Sequence, residues 1–396
     1  MTNAPIKIGY CLSLSGPLAA NGLTAQLAHQ IWLDDVNSRG GLLGRRVELA
    51  CIDDKTDPNS VPGIYQSLLT DDKVDLLLAG YGNNSISPAM PLVMEHEKYF
   101  VGLMGLAVNK DLKYDRFFCM IPTGSDPNRA LTQGLFAATS ELPTKPRTMA
   151  ILAADADFSK NPIAGARANA AEYGIEVVSE VKYSLTTEDY ADVVKAQTQS
   201  SPDILFLVSY INDSVGLLQA VGKTGVEPML VGGAMIGPQS STVQQRLGPL
   251  LNGVVNYEYW LPTPAMAFPG VRELIARYQA QAAGTAADAL GYYVAPCAYA
   301  QLQVVEQAIR ETGGVADAEL AEYTHSAVFD TVLGKLQFGP LGEWDQPRVL
   351  TVQFRNIASN DVEAFRSPDA RVVVAPSEYA SGTLQRFSDA KRSTGG

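Results

Sequence analysis

Ile6-Lys7-Ile8-Gly9-Tyr10-Cys11-Leu12 followed by Ser13-Leu14-Ser15-Gly16-Pro17 decides the fold. An apolar run of strand length breaks off in a polar Gly-Pro turn, and a helical pattern begins at once. In that helix Leu23, Leu27 and Ile31 recur four apart, as do Ala28, Trp32 and Val36, and Arg39-Gly40-Gly41 stops it. The unit then repeats. Val47-Glu48-Leu49-Ala50-Cys51-Ile52 reads as a strand, closed by Asp53-Asp54-Lys55-Thr56-Asp57-Pro58. A helix at 60–71 leads to a strand at 74–79, the turn Gly80-Tyr81-Gly82-Asn83-Asn84-Ser85, another helix, and a strand at 99–103. Strands alternating with helices require crossover connections and a parallel sheet, hence a doubly wound α/β fold.

A second series of the same kind starts at Thr148-Met149-Ala150-Ile151-Leu152-Ala153. It runs through helices near 161–173, 189–199 and 213–224 and strands at 175–181, 204–208, 229–231 and 253–255. Two copies of one architecture predict two similar lobes. Helices near 270–283 and 288–312 follow, the second expected to kink at Pro296. Strands at 333–338 and 349–354 come next. Residues beyond 356 carry little period apart from Val372-Val373-Val374 and read as a surface tail.

Composition narrows the function classes. The 396 residues are 46% apolar and 18% charged, which predicts a soluble two-domain protein rather than a disordered chain or a membrane bundle. The formal net charge of −12 argues against nucleic acid or an anionic membrane as partner, since both need clustered Lys and Arg. No stretch offers the roughly twenty consecutive apolar residues of a membrane span. His29, His96 and His325 are the only histidines, and none is spaced with another or with a cysteine as a zinc site requires. Cys11, Cys51, Cys119 and Cys297 read as buried free thiols, with one bridge left open between Cys11 and Cys51 near the ends of neighbouring strands. The chain opens Met1-Thr2-Asn3-Ala4-Pro5 and reaches the first strand at once. It reads either as cytoplasmic or as a protein whose leader has been removed.

Enzyme signatures fail one by one. Gly80-Tyr81-Gly82-Asn83-Asn84-Ser85 begins like a dinucleotide fingerprint, but Ser85 replaces the third glycine and the segment follows the third strand rather than the first. Gly222-Lys223-Thr224 ends like a phosphate loop, but five residues separate Gly216 from Gly222 where four are needed. Gly222 reads instead as a helix stop. There is no nucleophile elbow, and Asp53-Asp54 reads as a solvated loop. The expectation is no catalytic residue, no metal and no cofactor.

Ligands of open α/β sheets bind at the carboxyl ends of the strands. Those ends carry Ser13, Ser15 and Gly16; Asn83, Asn84 and Ser85; and Leu106, Ala107 and Val108 in the first series. In the second they carry Asp155, Asp157, Phe158 and Ser159; Ser209, Tyr210 and Asn212; and Gly233, Ala234 and Met235. Small, hydroxyl, amide and aromatic residues of this kind suit a carboxylate placed at a helix N-terminus. Ser85 or Ser87 is expected to cap the next helix with Pro88 at its first position.

Ile6-Lys7-Ile8-Gly9 with Leu14-Ser15-Gly16-Pro17-Leu18-Ala19 resembles the opening of the branched-chain amino-acid type of ABC-importer substrate-binding proteins. So do Asp35-Val36-Asn37-Ser38-Arg39-Gly40-Gly41-Leu42-Leu43-Gly44-Arg45, Leu290-Gly291-Tyr292-Tyr293, and Val332-Leu333-Gly334-Lys335-Leu336-Gln337-Phe338 with Gly342-Glu343. The resemblance covers residues 5 to 356 in order. It implies a type I periplasmic-binding fold, with two Rossmann-like doubly wound lobes joined by three crossovers and closing on a solute without catalysis. The expected boundaries are 5–121 plus 255–329 for lobe 1 and 122–254 plus 330–356 for lobe 2, with 357–396 as a tail packing on the surface.

The resemblance also frames the ligand. In the family, hydroxyl-rich segments after the third and fourth strands hold an amino acid's carboxylate, and an acidic residue in lobe 2 receives its ammonium. Here those segments are Asn83-Asn84-Ser85 and Leu106-Ala107-Val108, and the acidic position falls in Gly233-Ala234-Met235-Ile236. A buried ammonium without a carboxylate is unfavourable. The expected solute is therefore a small organic acid with an apolar or aromatic body, not a free amino acid. Ser15, Asn83, Asn84, Ser85, Leu106 and Val108 would contact it from lobe 1, and Phe158, Tyr210, Asn212, Ala234 and Trp260 complete the expected set. Asp157 is the residue able to receive an ammonium after all. The implied setting is the periplasm, with a membrane permease as partner, no nucleic acid, no insertion into the bilayer, and a monomeric state. The alternative is a cytoplasmic ligand sensor of the same fold, like the amide-responsive regulators.

Overall fold

A computed structural model describes residues 4–392, apart from the side chain of Asp157. The first stretch runs β1 (Ile6–Leu12), α1 (Ala19–Ser38), β2 (Val47–Asp53), α2 (Val61–Thr70), β3 (Leu76–Leu77), α3 (Asn83–Glu95), β4 (Phe100–Gly102), α4 (Asn109–Leu112) and β5 (Phe117–Cys119). It continues with α5 (Pro127–Ala138), β6 (Thr148–Ala154), α6 (Asp157–Glu172), β7 (Glu176–Tyr183), α7 (Ala191–Thr198), β8 (Ile204–Ser209), α8 (Ile211–Thr224), β9 (Leu230–Met235), α9 (Ser241–Leu247) and β10 (Val254–Glu258). Then come α10 (Val271–Ala282), α11 (Ala295–Thr312), α12 (Asp317–Ser326), β11 (Phe329–Thr331), β12 (Gly334–Leu336), β13 (Leu350–Phe354), β14 (Arg371–Ala375) and α13 (Phe387–Arg392).

The chain divides into two compact units, each discontinuous in sequence. Unit 1 comprises Met1–Ser125 and Ala267–Pro347; unit 2 comprises Asp126–Met266 and Arg348–Gly396. In unit 1, β1 pairs in parallel with β2 and β3, and β4 with β5. The amide of Ala79 donates to Val101 O at 3.1 Å and Tyr81 bridges Leu103, so the strand order reads β2-β1-β3-β4-β5. Unit 2 repeats that order as β7-β6-β8-β9-β10 and adds β13 and β14 antiparallel at the far side. Each unit is thus a Rossmann-like doubly wound lobe, and the two share one order of five parallel strands.

Burial follows from the parallel sheets, whose two faces both need covering. In unit 1, α1 packs on α10 and α11, and α2 on β1 and α3. His29 of α1 lies fully buried, its Nε2 at 3.1 Å from Gln301 Oε1 of α11. Desolvation pulls its pKa down to about 4, which keeps it neutral and structural. Gln301 in turn donates to the carbonyls of Ala79 and Val101, so the helix pair is tied to the sheet. In unit 2 the core gathers Phe136, Met149, Ile151, Ile204, Phe206, Val208 and Leu230.

Several expectations are corrected. The strand near 255 does not return to unit 1: β10 stays in the unit 2 ladder, with Val254 opposite Val231, and the crossing follows Met266. The segment 330–347 stays with unit 1, because Gly342 O accepts from the amide of Cys119, and the crossing follows Pro347. The residues beyond 356 are no surface tail. β14 closes the unit 2 sheet, and Val374, Ala375 and Leu384 enter its core. A strand this short, buried at four of five positions, leaves no alternation to read. Pro296 sits in the first turn of α11, where no backbone bond is lost, so nothing there kinks the helix. α8 runs through Gly222 and ends at Gly225. Cys11 and Cys51 are both free thiols. Tyr10, not Cys11, lies opposite Cys51, and because neighbours along a strand point to opposite faces, the two thiols cannot bridge.

The carboxyl-terminal segment is held by Gln353 of β13. Its Nε2 donates to the carbonyls of Gly253 and Gln385, and its Oε1 accepts from the amide of Gln385 and from Arg355 Nε. Removing a fully buried group so connected leaves several polar partners unsatisfied. Gln353→Ala is expected to destabilise unit 2 by about 3 kcal/mol, read as a lowered urea midpoint.

Candidate functional site

The carboxyl ends of β1, β3 and β4 in unit 1 are closed by side chains rather than left open. After β1, Ser13 Oγ donates to Asp54 Oδ1 at 2.6 Å, and Ser15 Oγ to Asp53 Oδ2 at 2.7 Å. The amide of Leu14 also donates to Asp53, at 2.8 Å. Asp53-Asp54 is therefore a clasp, with Asp54 buried, and not a solvated loop. Ser15, exposed at the surface, already gives its proton to this clasp. Desolvation raises the pKa of Asp53, but hydrogen bonds from the Ser15 hydroxyl and from the amides of Lys55, Leu14 and Ser15 outweigh it and hold the carboxyl below its ordinary value.

After β3, Gly82 adopts φ 74°, a left-handed turn that a side chain would strain, and α3 starts at Asn83. The helix thus begins earlier than expected: Ser85 lies within its first turn, and Pro88 and Pro91 lie inside it. Asn83 Nδ2 donates to Leu106 O at 3.0 Å, and Leu106 N donates to Asn83 Oδ1 at 2.8 Å. This reciprocal pair ties the start of α3 to the segment after β4 that carries Val108, itself half-buried. Ser85 is buried, its Oγ 3.3 Å from Cys11 Sγ, and burial pushes that thiol up to about 12. Asn84, half-buried, makes no side-chain hydrogen bond among the described residues. Asn21, Tyr81 and Tyr293 form a second polar group at these strand ends. Asn21 Nδ2 donates to Tyr81 Oη at 2.8 Å, and Tyr81 Oη to Tyr293 Oη at 3.3 Å. Tyr293 had a signal, the Gly291-Tyr292-Tyr293 motif, but Asn21 and Tyr81 had none beyond their nearness to the turns.

In unit 2 the ends of β6 and β8 meet. Phe158 in the first turn of α6 and Tyr210 at the N-cap of α8 bring their ring centroids to 5.7 Å at an interplanar angle of 61°. That is the edge-on geometry aromatic pairs favour. Asn212 is exposed two residues beyond Tyr210, and Ala234 lies fully buried within β9. Trp260 is buried, and its indole N–H donates to Met266 O at 2.9 Å. The side chain of Asp157 lies outside the described residues. Two buried acids escaped the sequence reading. Asp213, in the first turn of α8, accepts from Tyr183 Oη at 2.5 Å, and burial raises its pKa. Glu258, the last residue of β10, pairs with Arg371 at 3.3 Å. Neither partner is near in sequence, so no local signal could have shown these pairs.

The structure therefore joins Asn83 to Leu106, Ser85 to Cys11, Ser15 to Asp53 and Phe158 to Tyr210. No group of three or more His, Cys, Asp or Glu that could hold a metal occurs among the described residues, and no helix among them is long and apolar enough to cross a membrane. A pocket of about 290 Å³ lined by Asp203, Glu227 and Met229 lies before β8 and β9, at the opposite ends of the strands.

Two parallel sheets of one strand order, with amide and aromatic groups at their carboxyl ends, define a binding protein of the type I periplasmic fold. The chain belongs to the periplasmic binding protein family, whose model matches residues 5–348. It is 25% identical over 287 residues, 70% of each chain, to Leu/Ile/Val-binding protein homolog 8 of Brucella abortus. Its fold is similar to the branched-chain amino acid transporter substrate-binding protein of Streptococcus pneumoniae in complex with isoleucine, with a TM-score of 0.77, 18% identity, and 94% of this chain and 100% of that one covered. It is also similar to a solute-binding protein of Rhodopseudomonas palustris in complex with 3,4-dihydroxybenzoic acid, with a TM-score of 0.74, 16% identity, and coverage of 90% and 95%.

Two outcomes test these clasps. Because Asp53 is held below its unfolded pKa, its stabilisation is present at neutral pH and is lost as the pH falls below about 4. The difference in urea midpoint between wild type and Asp53→Asn should shrink over that range. Asn83→Ala should lower stability by about 1–3 kcal/mol and expose the Leu106 amide, read as faster hydrogen exchange at that site.

Proposed function

We propose that this chain is the extracytoplasmic receptor of an ABC importer, that a membrane permease is its partner, and that its solute is a small organic acid with an aromatic or apolar body. Asn84 and the first amides of α3 suit a carboxylate, since a helix N-terminus presents N–H groups toward an anion. Phe158 and Tyr210 suit an aromatic ring.

The observation that carries this reading is the edge-on pair of Phe158 and Tyr210 at the strand ends of unit 2, beside two buried acids that already have partners. Asp213 is buried against Tyr183 and Glu258 against Arg371, whereas Asp155 is exposed, with Lys182 3.8 Å away. An ammonium needs a desolvated carboxylate that can turn toward it, whereas a ring needs only the aromatic pair. The isoleucine complex and the dihydroxybenzoate complex show that both solute classes occur on this fold.

Titration calorimetry of the full chain against leucine and 3,4-dihydroxybenzoate separates them. The aromatic acid is expected to bind with a Kd on the order of micromolar or below, and Asn84→Ala to weaken it about tenfold. Tight leucine binding with no response to the aromatic acid would overturn the solute class.

A further inference from the structure

The Phe158–Tyr210 pair is supported from behind by a connected set of groups in unit 2. Tyr190, just before α7, seats on Gly216 of α8, where a Cβ would lie 2.4 Å from its ring. Its ring meets Tyr183 edge-on at 5.5 Å and 84°. Tyr183, the last residue of β7, donates its phenol proton to Asp213 at 2.5 Å. Asp213 is the third residue of α8, counted from Ile211, and Tyr210 is the N-cap. A side chain at that third position can reach back to the N-cap amide, and the amide of Tyr210 is among the groups favouring the charged form of Asp213. On the other side, Ser214 Oγ donates to the carbonyl of Tyr210, and Ser209 Oγ lies 2.7 Å from Ser214 Oγ. The carbonyl of Tyr210 is thus held by Ser214, and Asp213, bonded to Tyr183, stands in the same first turn of α8.

We propose that Tyr183 and Asp213 are positioning residues for solute binding: Tyr183 anchors Asp213, Asp213 and Ser214 hold the first turn of α8, and the Tyr210 ring at its N-cap is thereby set against Phe158. This rests on the solute site proposed above. Neither residue touches the solute; both act through Tyr210. A buried carboxyl is a demanding choice for a packing role, since burial alone opposes its charge. Its place on the N-terminal turn of a helix and its bond to Tyr183 supply what the charge needs. The titratable groups facing Asp213 are Tyr183 from β7 and Tyr190 from the segment before α7.

The test compares wild type, Tyr183→Phe and Asp213→Asn as full chains by calorimetry with 3,4-dihydroxybenzoate, from about pH 5 to 8. If wild type binds leucine instead, leucine is the probe, so the solute class and this inference are decided separately. Tyr183→Phe removes one hydroxyl and is expected to weaken binding about 3–10-fold at neutral pH. It should also move the acid limb of the affinity profile to higher pH, because the bond favouring the Asp213 carboxylate is gone. Asp213→Asn keeps an acceptor for Tyr183 but cannot ionise, so that limb should disappear while much of the neutral-pH affinity remains. The solute's own titration is common to all three proteins and cancels in the comparison. Wild-type affinity in Tyr183→Phe, or a loss of thermal stability with the acid limb unmoved, would overturn the inference.

Discussion

The structure depends on side-chain amides that act as single residues of β-strand. A carboxamide carries N–H donors and a carbonyl acceptor in one plane, as a peptide group does, and can bond both the N–H and the C=O of one distant residue. Asn37 does so with Val47, Asn83 with Leu106, Asn252 with Ile357, Asn256 with Met235 and Gln353 with Gln385. Each stands where a ladder ends or a crossover begins and backbone groups would otherwise be buried without partners, which is unfavourable by roughly 1–3 kcal/mol each. Without them the short strands of unit 1, two or three residues long at β3 and β4, would have little to hold their ends.

The candidate site is the complement of these closures. Of the polar residues at the strand ends, Ser15 serves the Asp53 clasp, Ser85 meets Cys11, and Asn83 holds Leu106. Asn84 and the edge-on pair of Phe158 and Tyr210 stand beside these closures and are the residues proposed to meet a solute. The same economy governs charge. Burial would discourage Asp213 and Glu258 from ionising, and each has acquired a specific partner, a phenol in one case and a guanidinium in the other. A chain with few charged residues keeps these buried ones occupied.

Much of the fold was legible because it is written locally. The alternation of strand and helix, the Gly-Pro turn after β1 and the Gly40-Gly41 stop of α1 each depend on residues within a few positions of one another. Two errors lie in where a helix starts, and the others come from contacts distant in sequence. Pro296 looks like a kink until α11 is seen to start beside it, and Pro88 looks like a helix start until Gly82 has turned the chain earlier. The unit boundaries moved because β10 pairs with β9, and the segment after β12 bonds to β5. The final segment looked like a tail because its strand is buried on both faces and lacks alternation.

The sequence by itself determined the doubly wound class, the duplication into two similar units, and the turns where a ligand would be sought, because periodicity and turn chemistry act over a few residues. Only the tertiary structure decided which turn residues are engaged with one another. It also decided that Cys11 and Cys51 face apart, and that Tyr183 and Asp213 stand behind Tyr210. Those outcomes depend on strand register and on hydrogen bonds between residues 30 to 100 positions apart, which local spacing does not encode.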